Sequence, residues 1–182
     1  MKSSSKNVCK ISFFFLFVLF TSILCLTYGC GYHRAETTSK LPSWIKSIYI
    51  EPWSNRSNEL LLSAWITQEL RNEFMRRGPI VLAPEEEADV ILTGQVEWVE
   101  TEGLSYTRYD RSVERRVFVE CSVKLRERKT GKVLWRTRNI RREEAFAVSS
   151  DVMHTEGMKD AALKKLSQDV AEIIYHRITS VF

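Results

Sequence analysis

The sequence predicts a two-layer α/β (α+β) sandwich, a mixed sheet of about four or five strands with two helices on one face. Three observations carry this. Two segments repeat apolar residues at helical spacing with one stripe each. Three long segments alternate with the period of a strand that buries one face. A short strand, a helix and a second short strand stand in the order that a parallel crossover needs.

Taken in order, Ile45, Ile48 and Ile50 with Tyr49 predict a first strand that ends at Pro52. Ser54-Asn55-Arg56-Ser57-Asn58 reads as a turn rich in helix N-cap residues, so a helix is expected to start there. From Glu59 to Arg77, Leu62, Ile66, Leu70 and Phe74 recur every four residues, and Leu61 and Trp65 widen the stripe. Gly78-Pro79 stops the helix, with Arg76 and Arg77 suited to the negative end of its dipole. Ile80 to Leu82 is then a short parallel strand, followed by a turn at Pro84-Glu85-Glu86-Glu87.

Val90, Leu92, Gly94, Val96 and Trp98 alternate with polar residues, as do Val117, Val119, Cys121, Val123 and Leu125 after an expected loop over 103–112. Parity places the Lys129-Thr130-Gly131 connection. A three-residue loop with Gly131 in the left-handed conformation sets Leu125 against Trp135, Glu127 against Val133, Lys124 against Arg136 and Ser122 against Arg138. A two-residue loop would set Leu125 against Arg136, so burial selects the longer one. Trp135 is then expected in the core. Last, Ser149 to Thr155 reads as a capping stretch before a helix whose Leu163, Leu166, Val170, Ile174 and Ile178 share one face. The long strands around 90–101, 113–128 and 132–146 are expected to form a meander that projects beyond the helices.

The N-terminus is expected to address and anchor this domain. Lys2, Lys6 and Lys10 precede an uncharged, largely apolar run from Ile11 to Leu26, after which Gly29 stands before Cys30. A small residue before a cysteine at the close of such a run resembles a bacterial lipobox, in which the cysteine is diacylated and becomes the mature N-terminus. Thr27 and Tyr28 depart from the usual lipobox residues. Gly31, rather than an aspartate, favours the outer membrane. The expected organisation is a signal over 1–29, a lipidated tether over 30–43 and one domain over 44–182. The tether reaches at most about 40 Å. Cys9 and Cys25 fall in the signal, so Cys121 alone remains for the folded body and reads as a small core residue.

Charge is distributed unevenly. Residues 30–102 carry 7 basic and 12 acidic groups, residues 103–142 carry 13 and 4, and residues 143–182 carry 4 and 7. A cationic segment inside an otherwise acidic chain implies an anionic partner. In the hairpin register above, Lys124 stands opposite Arg136 with Arg138 nearby, and like charges across a sheet are destabilising, so folding alone does not select them. A lysine- and arginine-rich face that resists edge aggregation is the competing explanation. Tyr106 and Tyr109 interleave with Arg108 and Arg111 between the long strands. Arg108, Arg111, Lys124, Arg136 and Arg138 are therefore the candidate residues for a phosphorylated ligand, because arginine presents paired donors to phosphate.

Catalytic constellations are not expected. No G-x-G-x-x-G, phosphate loop, H-E-x-x-H or Cys-x-x-Cys occurs, so neither an enzyme nor a bound cofactor is predicted. His33, His154 and His176 have no ligand spacing and imply no metal site. Export from the cytoplasm argues against a nucleic-acid partner.

Four segments resemble the LPS-assembly lipoproteins of the LptE family: Cys30-Gly31-Tyr32-His33, Ile50 to Ser57 with its Asn55-Arg56-Ser57 turn, Ala88-Asp89-Val90-Ile91-Leu92-Thr93-Gly94, and Thr130-Gly131-Lys132-Val133-Leu134-Trp135. The resemblance implies the same two-layer body, a place as a plug within the outer-membrane barrel LptD, help in folding that barrel, and LPS binding during insertion into the outer leaflet. It carries no catalytic motif. Short strand motifs are also similar to periplasmic regulators such as activators of cell-wall synthases, and to curli-secretion lipoproteins. A pore would need an apolar outward strand face where this one is charged, and an activator would usually have a longer tether.

Overall fold

The structure is a computed structural model that describes residues 42–106 and 112–180. The expected signal, tether and Cys30, and the candidates Arg108 and Arg111, lie outside the described residues. The elements run β1 (Ser47–Ile50), β2 (Ser54–Asn55), α1 (Leu62–Arg77), β3 (Val81–Leu82), β4 (Val90–Tyr106), β5 (Ser112–Glu127), β6 (Val133–Ala147) and α2 (Val152–Ser180). The sheet order is β3-β1-β4-β5-β6, with β2 paired to β4. β1 is parallel to β3 and β4, while β4, β5 and β6 form the antiparallel meander. The two-layer α+β sandwich with a mixed sheet is thus present, and its sixth strand is the two-residue β2.

One core joins the layers. Ile48 and Ile50 of β1, Leu92 and Val96 of β4, and Val117, Val119, Cys121, Val123 and Leu125 of β5 are buried together with the stripes Leu62, Ile66, Leu70, Phe74 and Leu163, Leu166, Val170, Ile174, Ile178. α1 and α2 run side by side in the same direction. Lys159 pairs with Glu59 at 2.9 Å near their starts, and Phe74 meets Tyr175 edge-on at 5.1 Å near their ends. Arg77 of α1 then bridges to Glu172 of α2 at 2.8 Å.

Helix starts follow local side-chain chemistry. Asn55 and Ser57 do not cap α1, because Asn55 Oδ1 already accepts from the Ser57 amide (2.9 Å) and hydroxyl (2.8 Å), and Asn55 Nδ2 donates to the Glu59 carbonyl (2.8 Å). These bonds close a turn instead. The helix therefore starts only at Leu62, its N-cap Leu61 has no side-chain cap, and Leu61 is 59% exposed rather than part of the stripe. Ahead of α2 the expected capping stretch holds: Asp151 Oδ1 accepts from the Met153 amide at 2.9 Å, and Thr155 Oγ1 accepts from the Ser149 amide at 3.0 Å.

Two corrections concern the long strands. The expected loop over 103–112 is strand at both of its ends, since β4 continues to Tyr106 and β5 begins at Ser112, while 107–111 lie outside the described residues. In β4 the period slips at Glu97: Val96 pairs with Cys121, Trp98 with Glu120, and Val99 with Val119. Glu97 is the extra residue of a bulge, so Trp98 turns to the outer face, 40% exposed, and Val99 takes the inward place.

The β5–β6 hairpin keeps its turn and half of its register. Gly131 has φ of 70°, and Leu125 faces Trp135 while Lys124 faces Arg136. Beyond these pairs the expected register fails at both ends. Arg126, not Glu127, faces Val133, because Leu134 is an extra residue, and Glu127 donates to the Lys132 carbonyl at 2.8 Å. Further up, Val123 faces Thr137 and Cys121 faces Ile140, so Ser122 stands against both Arg138 and Asn139 rather than Arg138 alone. Trp135 is half-buried against the core, not enclosed by it.

Asp89 secures the start of β1. Its Oδ2 accepts from the amides of Lys46 (2.9 Å) and Ser47 (3.0 Å) and from the Ser47 hydroxyl (3.0 Å). The Lys46 amide foremost, then the Ser47 hydroxyl and amide, hold its carboxyl below the ordinary 3.8. A depressed folded value means that this stabilisation is complete above the unfolded value and disappears as pH falls through the folded one. Asp89→Asn should therefore lower the unfolding midpoint at pH 7 and flatten its decline below about pH 4. Parallel acid-side curves for variant and wild type would refute the assignment.

Candidate ligand groove on the outer sheet face

The helices cover one sheet face and leave the other open. Strand alternation sorts the outward residues of β4, β5 and β6 into rows. Thr93, Lys124 and Arg136 form one, Gln95, Ser122 and Arg138 the next, and Trp98, Glu120 and Arg141 a third. The first two rows, with Ser54 of β2, line an open groove of about 450 Å³.

Lys124, Arg136 and Arg138, predicted from sequence, thus come together on one exposed surface. None of the three forms an ion pair among the described residues, and none of the lining residues is acidic. Glu97 stands nearby but is already held by Arg56 at 3.2 Å, by Gln95 Nε2 at 3.0 Å and by the Ser122 hydroxyl. Lower on the strands, Arg126 approaches Glu85 at 4.0 Å, and higher up Arg116 pairs with Glu143 at 3.0 Å. Arg141 places its guanidinium over the Phe118 ring at 4.8 Å. The groove cations are therefore set apart from neighbours that have partners.

Cys121 and His176 sit in packed or ion-paired surroundings. Burial pushes the Cys121 thiol up to about 12, which keeps it protonated and unreactive. His176 contacts Arg77 at 2.9 Å and lies 3.6 Å from Glu172 at the helix ends. Among the described residues no three or more His, Cys, Asp or Glu are grouped to hold a metal ion. Also among these residues, no helix is long and apolar enough to cross a membrane.

Sequence reasoning missed Trp98 and Glu97 on this face. The available signal was the interval from Val96 to Val99, which breaks an alternation that resumes beyond it.

A two-layer α+β sandwich whose outer sheet face, not covered by either helix, carries a cationic groove is the class that fold and surface define among the described residues. Within it, the chain belongs to the LptE lipopolysaccharide-assembly family, whose sequence profile matches residues 45–178. No curated relative matches. Solved structures share the fold. An uncharacterized lipoprotein B from Nitrosomonas europaea superposes with a TM-score of 0.56 at 15% identity, over 78% of this chain and 90% of that one. A candidate lipoprotein from Caulobacter crescentus does so with a TM-score of 0.52 at 11% identity, over 73% of this chain and 88% of that one.

Proposed function

We propose that this chain is a lipid-anchored component of LPS assembly at the outer membrane, a non-enzymatic partner of the barrel LptD that supports it as a plug and binds LPS through its cationic face. Family membership supplies the assembly role. The observation that carries the binding role is the grouping of Lys124, Arg136 and Arg138 in one open groove, without an ion pair among the described residues. Phosphate groups suit such a surface, since two guanidinium forks and an ammonium offer charge-assisted donors in water-accessible positions. Arg108 and Arg111 extend the same charge in the sequence between β4 and β5. In this reading residues 1–29 direct export, Cys30 is acylated, and residues 30–43 tether the domain close to the membrane.

Affinity isolation of the lipidated protein from solubilised outer membranes tests the partnership. A co-purifying β-barrel identified by mass as LptD is expected, and its absence from cross-linked and uncross-linked samples alike would refute the reading. Metabolic labelling with a fatty-acid analogue tests the anchor. Label should be present on the wild type and lost from Cys30→Ala, and equal labelling of both would remove Cys30 from the proposal.

A further inference from the structure

β6 ends the sheet. It runs 15 residues, and among the described residues no strand pairs with its outer side. From Ile140 to Ala147 its pairing with β5 is unbroken, and the segment holds neither proline nor glycine. The Val148 amide donates to the Val113 carbonyl at 3.0 Å, in line with that register. By alternation the backbone groups of Ile140, Arg142, Glu144 and Phe146 therefore turn toward β5, and those of Arg141, Glu143, Ala145 and Ala147 turn to the open side. The Arg142 guanidinium agrees with this direction, since it donates to the Arg141 carbonyl at 3.1 Å. A long edge of this kind is a template for another strand.

A groove of about 300 Å³ accompanies the edge, lined by Ala145, Phe146 and Ala147 of β6 and by Met158, Ala161 and Lys165 of α2. Met158, Ala145, Ala147 and Ala161 are exposed there. A groove between an edge strand and a helix lets an added strand gain main-chain hydrogen bonds and side-chain contacts together.

The charges along the edge say which strand fits. A run of one sign would repel its own copy, but Arg141-Arg142-Glu143-Glu144 carries both signs. An antiparallel second copy must set open-side residues against open-side residues, which fixes the parity of the register. With Arg142 on the two-fold axis, Arg142 would face itself and Ile140 would face the partner's Glu144. With Glu144 on the axis, Glu144 would face itself and Arg142 would face the partner's Phe146. With Glu143 there, Arg142 faces the partner's Glu144 and Ile140 the partner's Phe146, and symmetry repeats both pairs. Glu143 then faces itself, but Arg116 of its own chain already holds it at 3.0 Å. No ion pair holds Arg142 among the described residues, and Glu144 is held by Lys165, so each Glu144 can take a second cation.

We propose that this edge is an isologous interface between two copies of the chain. β6 pairs antiparallel with the partner's β6 about a two-fold axis at Glu143, joining the two sheets into one. The groove between β6 and α2 takes the partner's strand, Met158 packs on it, and Arg142 leaves the Arg141 carbonyl for the partner's Glu144. The inference does not rest on the anion groove, whose arginines lie lower on β6.

The test uses the purified full chain in detergent micelles. Sedimentation equilibrium with density-matched detergent should show a reversible monomer–dimer equilibrium. Because one micelle can hold two chains that do not touch, a short bis-maleimide reads the contact itself. Glu143→Cys should cross-link to its own copy, since paired Cα atoms at the axis are about 5.5 Å apart. Ala147→Cys should not, because the strand rise sets it about 27 Å from its copy, and wild-type Cys121 is buried out of reach. Arg142→Glu, which sets like charges against each other, should weaken dimerisation at least about ten-fold. Its unfolding midpoint should match the wild type, as Arg142 is exposed and holds only the Arg141 carbonyl. Ala145→Pro removes an edge N–H and should abolish the dimer. A monomer at every concentration would overturn the proposal and leave the edge to a strand of another protein. Cross-linking of Ala147→Cys as strong as that of Glu143→Cys, or Arg142→Glu dimerising like the wild type, would overturn the register and the interface with it.

Discussion

Gly94→Ala is expected to destabilise the domain by about 3 kcal/mol, the upper part of the range for overpacking. Gly94 lies on the inward face of β4, and a Cβ there would overlap the Trp53 ring. The ring has no easy retreat. Trp53 is 6% exposed, and its amide donates to Thr67 Oγ1 at 3.1 Å, while the Thr67 hydroxyl donates to the Ser63 carbonyl at 2.7 Å on α1. Shifting the indole therefore disturbs the seam between β4 and α1. Against a total stability of about 5–15 kcal/mol, such a loss is large. Urea unfolding of Gly94→Ala, Trp53→Leu and the double variant would check it. Because the smaller side chain vacates the space, adding Gly94→Ala to Trp53→Leu should lower stability by less than about 1 kcal/mol, a non-additivity expected of residues in contact. Strictly additive losses would show that Gly94 is not the seat of the Trp53 ring.

This packing was not legible in the sequence. Gly94 fits the alternation of β4 as a weak apolar position, and nothing near it says that Trp53, far earlier in the chain, fills the gap. What was legible rests on strong periodicity. The stripes of α1 and α2 and the inward residues of β5 are buried as their spacing predicts, since burial of one face is what selects that spacing. Bulges defeated the rest. Each extra residue inverts the face of everything beyond it, so Trp98 moved outward and the register above Val123 shifted by one. The start of α1 failed for a related reason. Asn55 and Ser57 are both capping and turn residues, and their hydrogen bonds went to a turn.

The expected pairing at the centre of the candidate site is present because Lys124 and Arg136 lie between the bulges. Lys124 and Arg136 face each other as parity requires, and Arg138 reaches the same groove although its partner changed. The simultaneous substitution Lys124→Ser, Arg136→Ser and Arg138→Ser is therefore expected to weaken LPS binding at least about 100-fold, taking about 1.5–3 kcal/mol for each hydrogen bond to a charged group and allowing for those that exposure weakens. The fold should not suffer. All three side chains are exposed, and removing like charges that face one another relieves about 0.2–1 kcal/mol of repulsion, so the unfolding midpoint should hold or rise slightly. Wild-type binding should also fall as salt is raised, because the Debye length shrinks from about 10 Å at 0.1 M to about 3 Å at 1 M, while residual binding by the triple variant should depend less on salt. A charged face that serves only to prevent edge aggregation predicts unchanged LPS binding together with aggregation of the variant. Loss of stability in step with binding would instead place these residues in the fold. Binding that survives both the triple substitution and high salt would leave the groove without a ligand role, and the assembly role would then rest on contact with the barrel alone.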